Sequence, residues 1–177
     1  PSERYAAAEI HVIPNFVDTS QFRPSESRSP DYDLLYVGRL SAEKNIDMVI
    51  RIAQRLSLRL LLVGGRQVDP QWRETIRAAG PSVHWIPSVP HEQLPRYYHR
   101  ARAFVLASSG EGHPKVLLEA MACGLPVVAT RVPGIQELVR HHETAVLCEL
   151  DEAALERAVA TLLGSPQLMQ RLSVAGR

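Results

Sequence analysis

The segment SSGEGHPKVLLEAMACGLP, residues 108–126, passes from a turn-forming loop into an apolar helix. Pro114 is suited to the first turn of that helix, and Gly124 is suited to its C-terminal end. Glu119 is the only charge inside the apolar run, while Glu111 lies in the loop eight positions before it. Because a buried carboxylate is costly without hydrogen-bond partners, both acids are candidates for a site at the helix N-terminus. Backbone N–H groups there would face a phosphate, and the carboxylates would accept hydrogen bonds from sugar hydroxyls.

A purely structural explanation competes with this hypothesis. Glu119 could instead pair with an arginine in the core, and Glu111 could be a solvated loop acid. Candidate phosphate-binding residues elsewhere in the chain favour the ligand site over the structural explanation.

Short apolar strands alternate with amphipathic helices on both sides of this segment. Continuously apolar strands in such an alternation predict a Rossmann-like, doubly wound parallel α/β sheet of about six strands with helices on both faces. The predicted strands are Leu34–Val37, Leu60–Val63, Val83–Ile86, Ala103–Leu106, Val127–Ala129 and Ala145–Cys148. The other predicted helices are Asn45–Leu56, Pro70–Ala79, Glu92–Arg100, Ile135–Val139 and, as the last long helix, Glu152–Leu163.

The bulk composition limits the class of protein. A chain of 177 residues with 45% hydrophobic residues can bury the core of one domain. Its net charge of +1, with no basic tract, argues against nucleic acid as a partner. No run is long enough to cross a membrane, and the first residues do not resemble a signal peptide. Cys123 and Cys148 are expected to be free thiols, so we expect a cytoplasmic protein. The alternative is a cytoplasmic protein that is membrane-peripheral through a further domain.

The first part of the chain predicts a boundary near residue 30. Residues 1–30 are expected to contain a short strand, Ile10–Ile13, followed by a connector rich in proline and polar residues. The start of the chain does not look like a natural N-terminus, so residues 31–177 are expected to be one domain of a longer protein.

Ligands of parallel sheets bind at the carboxyl ends of the strands, and this chain has candidate phosphate-binding residues there. Gly38 and Arg39 follow the first strand, and Lys44 lies five residues further on, at the start of a helix. Arginine offers a planar fork to phosphate and lysine a point charge, so the pair predicts a diphosphate clamp. The alternative is that both are surface bases paired with Glu43 or Asp47.

In combination, these motifs resemble a known family. Gly-Arg-x-x-x-Glu-Lys at residues 38–44, Glu-x7-Glu at Glu111 and Glu119, and EAMACGLPVVAT at residues 119–130 resemble the donor-binding half of family-four (group 1) retaining glycosyltransferases. Residues 12–18 and 22–24 are similar to the connector between the two Rossmann-like domains of that GT-B fold. The resemblance covers nearly the whole chain.

The resemblance implies a metal-independent, retaining transfer of a hexose from a nucleotide-sugar to an unknown acceptor hydroxyl, without a cofactor. It implies that Arg39 and Lys44 hold the diphosphate and that Glu119 binds the ribose hydroxyls. Glu111 and the loop amides would hold the hexose and the distal phosphate, with Arg39, Lys44 and Glu111 acting in catalysis. The other residues expected to contact the donor are Gly38, Gly64, Pro87, Gly112, His113, Lys115 and Val116.

The chain departs from the family pattern in two places. Asn45 replaces a usual glycine, which asparagine tolerates in a turn. His113 and Pro114 replace an aromatic residue and a glycine, so His113 could contact the hexose or simply fill the aromatic position.

Two parts of the family's fold are expected to be missing from this chain. The acceptor, whether a sugar, a lipid or another hydroxyl compound, is expected to bind a missing N-terminal domain. The C-terminal helix that crosses back to that domain is also expected to be missing. The 177 residues alone are therefore expected to be inactive.

Two other functions share this architecture or site: a GT-B nucleotide-sugar epimerase and a non-catalytic nucleotide-sugar-binding module.

Two other motifs could suggest a metal site, but their positions in the chain argue against one. Asp31-Tyr32-Asp33 precedes the first strand, and His141-His142-Glu143 predicts an exposed turn rather than a metal site. Tyr97 and Tyr98 are expected to be packing residues, and the loop from Pro87 to Pro90 is a candidate for binding the nucleotide base.

Overall fold

The computed structural model describes residues 11, 13–25, 29–65 and 69–177. The strand predicted over Ile10–Ile13 lies partly outside these ranges, and its described residues, His11 and Ile13, are not in a strand. The predicted boundary near residue 30 stays a prediction.

A six-stranded, fully parallel sheet in the described residues confirms the predicted fold class. The strand order is β3-β2-β1-β4-β5-β6, so the order reverses between β1 and β4. Their carboxyl ends therefore border the crevice where ligands of such sheets bind. The strands are β1 Tyr32–Val37, β2 Leu60–Val63, β3 Val83–Ile86, β4 Ala101–Leu106, β5 Val127–Thr130 and β6 Val146–Cys148.

Helices connect the strands and flank the sheet, and most of the strand side chains are buried. The helices are α1 Ile46–Arg55, α2 Pro70–Ala78, α3 Leu94–Tyr98, α4 Lys115–Ala122, α5 Pro133–Gln136, α6 Glu152–Leu163 and α7 Pro166–Ala175. Short 3₁₀ turns at Ala42–Lys44 and His91–Gln93 precede α1 and α3. The helix predicted over Glu92–Arg100 is thus divided into a 3₁₀ turn and a short α-helix.

The prediction that Glu152–Leu163 is the last helix is wrong, because α7 follows it. Gly164 ends α6, and Pro166, two residues later, is the first residue of α7. The Ser165 hydroxyl accepts a hydrogen bond from the Leu168 amide at 3.3 Å and so caps α7. Leu172 anchors this helix in the core.

Both cysteines match the sequence expectation, since Cys123 and Cys148 are buried and form no disulfide in the part of the chain that the structure describes. Burial, followed by the nearby carboxylates, raises the pKa of Cys148 to about 11. In the described part of the chain, no helix has the length and apolar character needed to cross a bilayer.

Candidate functional site

Two loops from neighbouring strands form the crevice, and hydrogen bonds fasten them to each other. The loop after β1 ends at Asn45, whose side-chain amide donates to the Ala107 carbonyl at 2.8 Å. The Ser109 amide, in the loop after β4, donates to the Glu43 carbonyl at 2.8 Å. Asn45 has the left-handed φ of 49°, and its side chain does not cap α1. Asparagine therefore tolerates this turn, as predicted, but it joins the two loops rather than capping a helix.

Lys44 and Glu111 meet at the centre of this crevice. Lys44 Nζ lies 2.8 Å from Glu111 Oε1, and the two side chains are only 12% and 13% exposed. The Ser108 hydroxyl donates to the same Oε1 at 2.6 Å. Both donors use one carboxylate oxygen, so Oε2 keeps its capacity to accept from a ligand hydroxyl. Glu111 is therefore not a solvated loop acid.

The next strand and helix support the Glu111 loop through a side-chain hydrogen bond and a close backbone contact. The Thr130 hydroxyl, at the end of β5, donates to the Ser108 carbonyl at 2.6 Å, and both residues are fully buried. A Cβ on Gly134, in the first turn of α5, would collide with the carbonyl oxygens of Glu111 and Gly112. Sequence reasoning missed these supports, because such a close approach of distant backbone segments leaves no local pattern.

Glu119 is buried on α4, with 2% of its side chain exposed. Its Oε1 lies 2.7 Å from His91 Nε2, and its Oε2 accepts from the Tyr98 hydroxyl at 2.9 Å. Burial, and next the Glu119 charge, raises the pKa of Tyr98 well above its usual value, so the phenol stays a donor. In the described ranges Glu119 has no arginine partner, so the arginine alternative is wrong.

His91 and Tyr98 were not recognised as site residues from the sequence. Tyr98 packs in the core as predicted, yet it also donates to Glu119. The only sequence signal was that a histidine and a tyrosine both lie in the segment between β3 and β4. That segment contacts α4 through the interactions of His91 and Tyr98 with Glu119.

Arg39 differs from Lys44 in its surroundings. Its side chain is 79% exposed, and its guanidinium pairs with Glu43 at 3.0 Å. The alternative of a surface base therefore describes Arg39, but it does not describe Lys44, whose side chain is largely buried. Asp47 pairs with Arg51 instead, at 2.8 Å.

Arg39 lies at a cavity of about 300 Å³ beside the carboxyl ends of β1, β2 and β3. A Cβ on Gly64 would collide with the Gly38 carbonyl, so only glycine permits these strand ends to approach so closely. The Trp85 indole donates to the Gly64 carbonyl at 2.8 Å and fixes this wall. The lining residues are Val37, Gly38, Arg39, Val63, Gly64, Gly65, Pro87, Ser88, Val89 and Leu94.

The N-terminus of α4 completes the site on the other side of Glu111. The amides of Lys115 and Val116 lie in the first helical turn, where backbone N–H groups have no intrahelical partner. Among the described residues His113 Nδ1 is buried and has no hydrogen-bond partner, and the His113 carbonyl accepts from the Asn15 side chain at 2.6 Å. Helix amides of this kind attract a phosphate.

Both competing motifs lie away from the crevice. The prediction that Asp31-Tyr32-Asp33 precedes the first strand is wrong in part, because β1 begins at Tyr32. Asp31 and Asp33 nevertheless lie at the amino end of β1, where they pair with Arg100 at 2.8 Å and with Arg102 at 3.0 Å. Residues 141–143 form an exposed turn. Over the described ranges, no three His, Cys, Asp or Glu side chains gather where they could hold a metal ion.

The comparisons with known proteins agree with this geometry. Residues 17–177 match the family described as "Glycosyl transferases group 1". Over 87% of its length the chain is 32% identical to a D-inositol 3-phosphate glycosyltransferase of Acidothermus cellulolyticus, of which the match covers 40%. Over 96% of its length it is 33% identical to a glycogen synthase of Mycobacterium tuberculosis, of which the match covers 44%.

A solved structure of sucrose-phosphate synthase from Thermosynechococcus elongatus superposes with a TM-score of 0.84 at 29% identity, over 99% of this chain and 50% of that one. The chain spans less than half the length of the two curated relatives. Fold, site and sequence together show that the chain belongs to the group 1 glycosyltransferases.

Proposed function

We propose that this chain is the donor-binding half of a metal-independent, retaining glycosyltransferase that transfers a hexose from a nucleotide-sugar. The observation that carries the proposal is the largely buried Lys44–Glu111 pair beside the N-terminus of α4. One cation, one carboxylate and a set of free amides in one crevice match the phosphate and hydroxyl groups of a nucleotide-sugar.

The rest of the donor fits the surrounding crevice. Lys44 donates one proton to Glu111 and retains two for a phosphate oxygen. The base would enter the cavity between Gly38, Gly64 and Pro87, where Arg39 reaches the diphosphate from the rim. The ribose would lie against Glu119, and the hexose would bind Glu111 Oε2 and the amides that follow it.

The proposed reaction needs stabilisation of a leaving group rather than a nucleophilic side chain. The bond between the hexose C1 and the diphosphate oxygen breaks, and the acceptor oxygen bonds to C1 on the same face. The acceptor proton passes to the leaving phosphate, so the second product is a nucleoside diphosphate. Lys44, Arg39 and the α4 amides would stabilise the charge that develops on that phosphate.

The proposal places the acceptor outside these residues. The chain spans less than half of the curated relatives it matches, so we assign acceptor binding to another part of a longer protein. We expect the 177 residues alone to bind the donor without transferring its sugar, because an acceptor that is not held beside the donor loses the benefit of proximity.

Product analysis of the longer protein with a labelled nucleotide-sugar tests the proposed reaction. A labelled glycoside with an unchanged anomeric configuration would support it, and an epimerised nucleotide-sugar or no product would contradict it.

We expect Arg39→Ala to weaken binding of a nucleoside diphosphate about tenfold and to leave binding of the nucleoside unchanged. A charge-assisted hydrogen bond contributes about 1.5–3 kcal/mol, and Arg39 is exposed enough that its loss should not change the melting temperature. Calorimetric titration of UDP, GDP and ADP and of their nucleosides measures the effect. Glu43→Gln is the control, since it removes the partner of Arg39 and keeps the cation. Equal losses for nucleoside and diphosphate would show that Arg39 is structural.

We also expect nucleoside diphosphate binding to survive removal of divalent metals. The proposed clamp consists of Lys44, Arg39 and helix amides, so it supplies positive potential without an ion. Titrating the tightest of UDP, GDP and ADP with EDTA and then with added Mg²⁺ measures this. A dissociation constant that rises tenfold or more on chelation would contradict the proposal.

A further inference from the structure

The connector, residues 13–25, contacts the candidate site at both of its ends. Near its start, the Asn15 amide donates to the His113 carbonyl at 2.6 Å, beside the N-terminus of α4. Near its end, the buried Phe22 ring lies 5.1 Å from the His91 ring and 6.1 Å from the Tyr98 ring, between centroids. His99 Nε2 also lies 2.8 Å from the Arg23 carbonyl.

The two rings that Phe22 contacts are the two hydrogen-bond partners of Glu119. Tyr98 is fully buried, so packing on all sides fixes its hydroxyl. His91 is half-exposed, and its ring contact with Phe22 therefore constrains the imidazole from the protein side. An ionised carboxylate accepts only, and His91 Nε2 donates to Oε1 in the tautomer that carries its proton on that nitrogen.

The geometry points to a positioning role for two residues that the sequence analysis did not count among the donor contacts. We propose that Phe22 orients His91 and that His91 fixes the Glu119 carboxylate for the ribose hydroxyls, so that ribonucleotide binding depends on the connector. This inference rests on the proposed function, in which Glu119 binds the ribose. Neither residue needs to touch the nucleotide.

The chain provides matched variants for the test. His91→Ala removes the donor, whereas His91→Gln places an amide N–H close to the position of Nε2. Phe22→Leu removes the ring contact while keeping an apolar side chain in the core. Phe16→Leu is its control, because Phe16 lies in the same connector but its ring is exposed. His99→Ala is the control for His91, because His99 contacts the connector backbone and not Glu119.

The readout is a ratio of two dissociation constants for each variant. Calorimetry measures the tightest of UDP, GDP and ADP and its 2′,3′-dideoxy counterpart, which lacks the ribose hydroxyls. Both ligands bind only the folded protein, so a loss of stability raises both apparent dissociation constants by the same factor and leaves their ratio unchanged. Glu119→Gln serves as the reference, and His91→Ala and Phe22→Leu are repeated in its background.

We expect Glu119→Gln to reduce the preference for the ribonucleotide about tenfold, since its amide has one accepting oxygen. His91→Ala should reduce it about fivefold and Phe22→Leu about threefold, whereas His91→Gln and both controls should keep it near the wild-type value. In the Glu119→Gln background, neither substitution should change the ratio further.

Other results overturn the inference in distinct ways. If Glu119→Gln lowers the ratio but His91→Ala or Phe22→Leu does not, the positioning chain is wrong and the ribose assignment stands. If His91→Ala still lowers the ratio in the Glu119→Gln background, His91 contacts the nucleotide directly. If Glu119→Gln leaves the ratio unchanged, the ribose assignment fails together with this inference.

Discussion

Gly134→Ala should both destabilise the chain and weaken nucleoside diphosphate binding, although Gly134 is not itself a candidate ligand. Its new Cβ would overlap the carbonyl oxygens of Glu111 and Gly112, and backbone atoms cannot escape by changing rotamer. Overpacking of this kind costs about 3 kcal/mol, which lowers the melting temperature of a domain this size by roughly 6–12 °C. The displaced loop would also move Glu111 away from Lys44, so we expect about a tenfold loss of affinity.

Gly110→Ala is the matched control for that substitution. Gly110 belongs to the same loop, but a Cβ there meets nothing within 4 Å. Differential scanning calorimetry measures the melting temperature of the two variants, and titration measures their affinity for the nucleoside diphosphate. A Gly134→Ala variant that melts and binds like Gly110→Ala would show that α5 can shift away from the loop without consequence.

Lys44→Met should destabilise the chain by about 3 kcal/mol, because it leaves the Glu111 carboxylate nearly buried without its cation. Glu111→Gln in the same chain removes the unpaired charge, so the double variant should recover most of that stability. Binding should behave differently. Neither the single nor the double variant has the Lys44 cation, so both should lose nucleoside diphosphate affinity about tenfold or more.

Urea denaturation gives the stabilities for this comparison, and calorimetry gives the affinities. A Lys44→Met variant of unchanged stability would mean that Glu111 reaches solvent as soon as the lysine is gone. Recovery of affinity in the double variant would mean that Lys44 serves only to neutralise Glu111 and does not bind phosphate.

The sequence predicted the parallel sheet because its strands are buried on both faces and therefore apolar throughout. Leu60–Val63 and Val127–Thr130 carry that signal without any knowledge of their neighbours. The same logic placed Lys44 and Glu111 at one edge, since carboxyl ends of parallel strands share an edge. Helix α7 was missed, although Ser165 and Pro166 are a favourable N-cap and first residue for a new helix.

The partners of Glu119 could not be predicted for a different reason. The burial of this acid among aliphatic residues was visible, and so was its need for donors. Which donors reach it depends on the tertiary fold, because α3 and the 3₁₀ turn before it contact α4 only when the chain is folded. His91 and Tyr98 precede Glu119 by 28 and 21 positions, and no local pattern spans such a separation.

The hydrogen bonds from Asn45 to Ala107 and from Ser109 to Glu43 have a thermodynamic consequence for ligand binding. Ordering a loop residue costs free energy, because conformational entropy is lost. In many sites the loop becomes ordered only when the ligand binds, so this cost reduces the free energy of binding. Here folding has already ordered both loops, since each is anchored to the backbone of the other. Nucleotide binding to this chain should therefore be accompanied by little backbone ordering, and amide hydrogen exchange in these loops should be slow before any ligand is added.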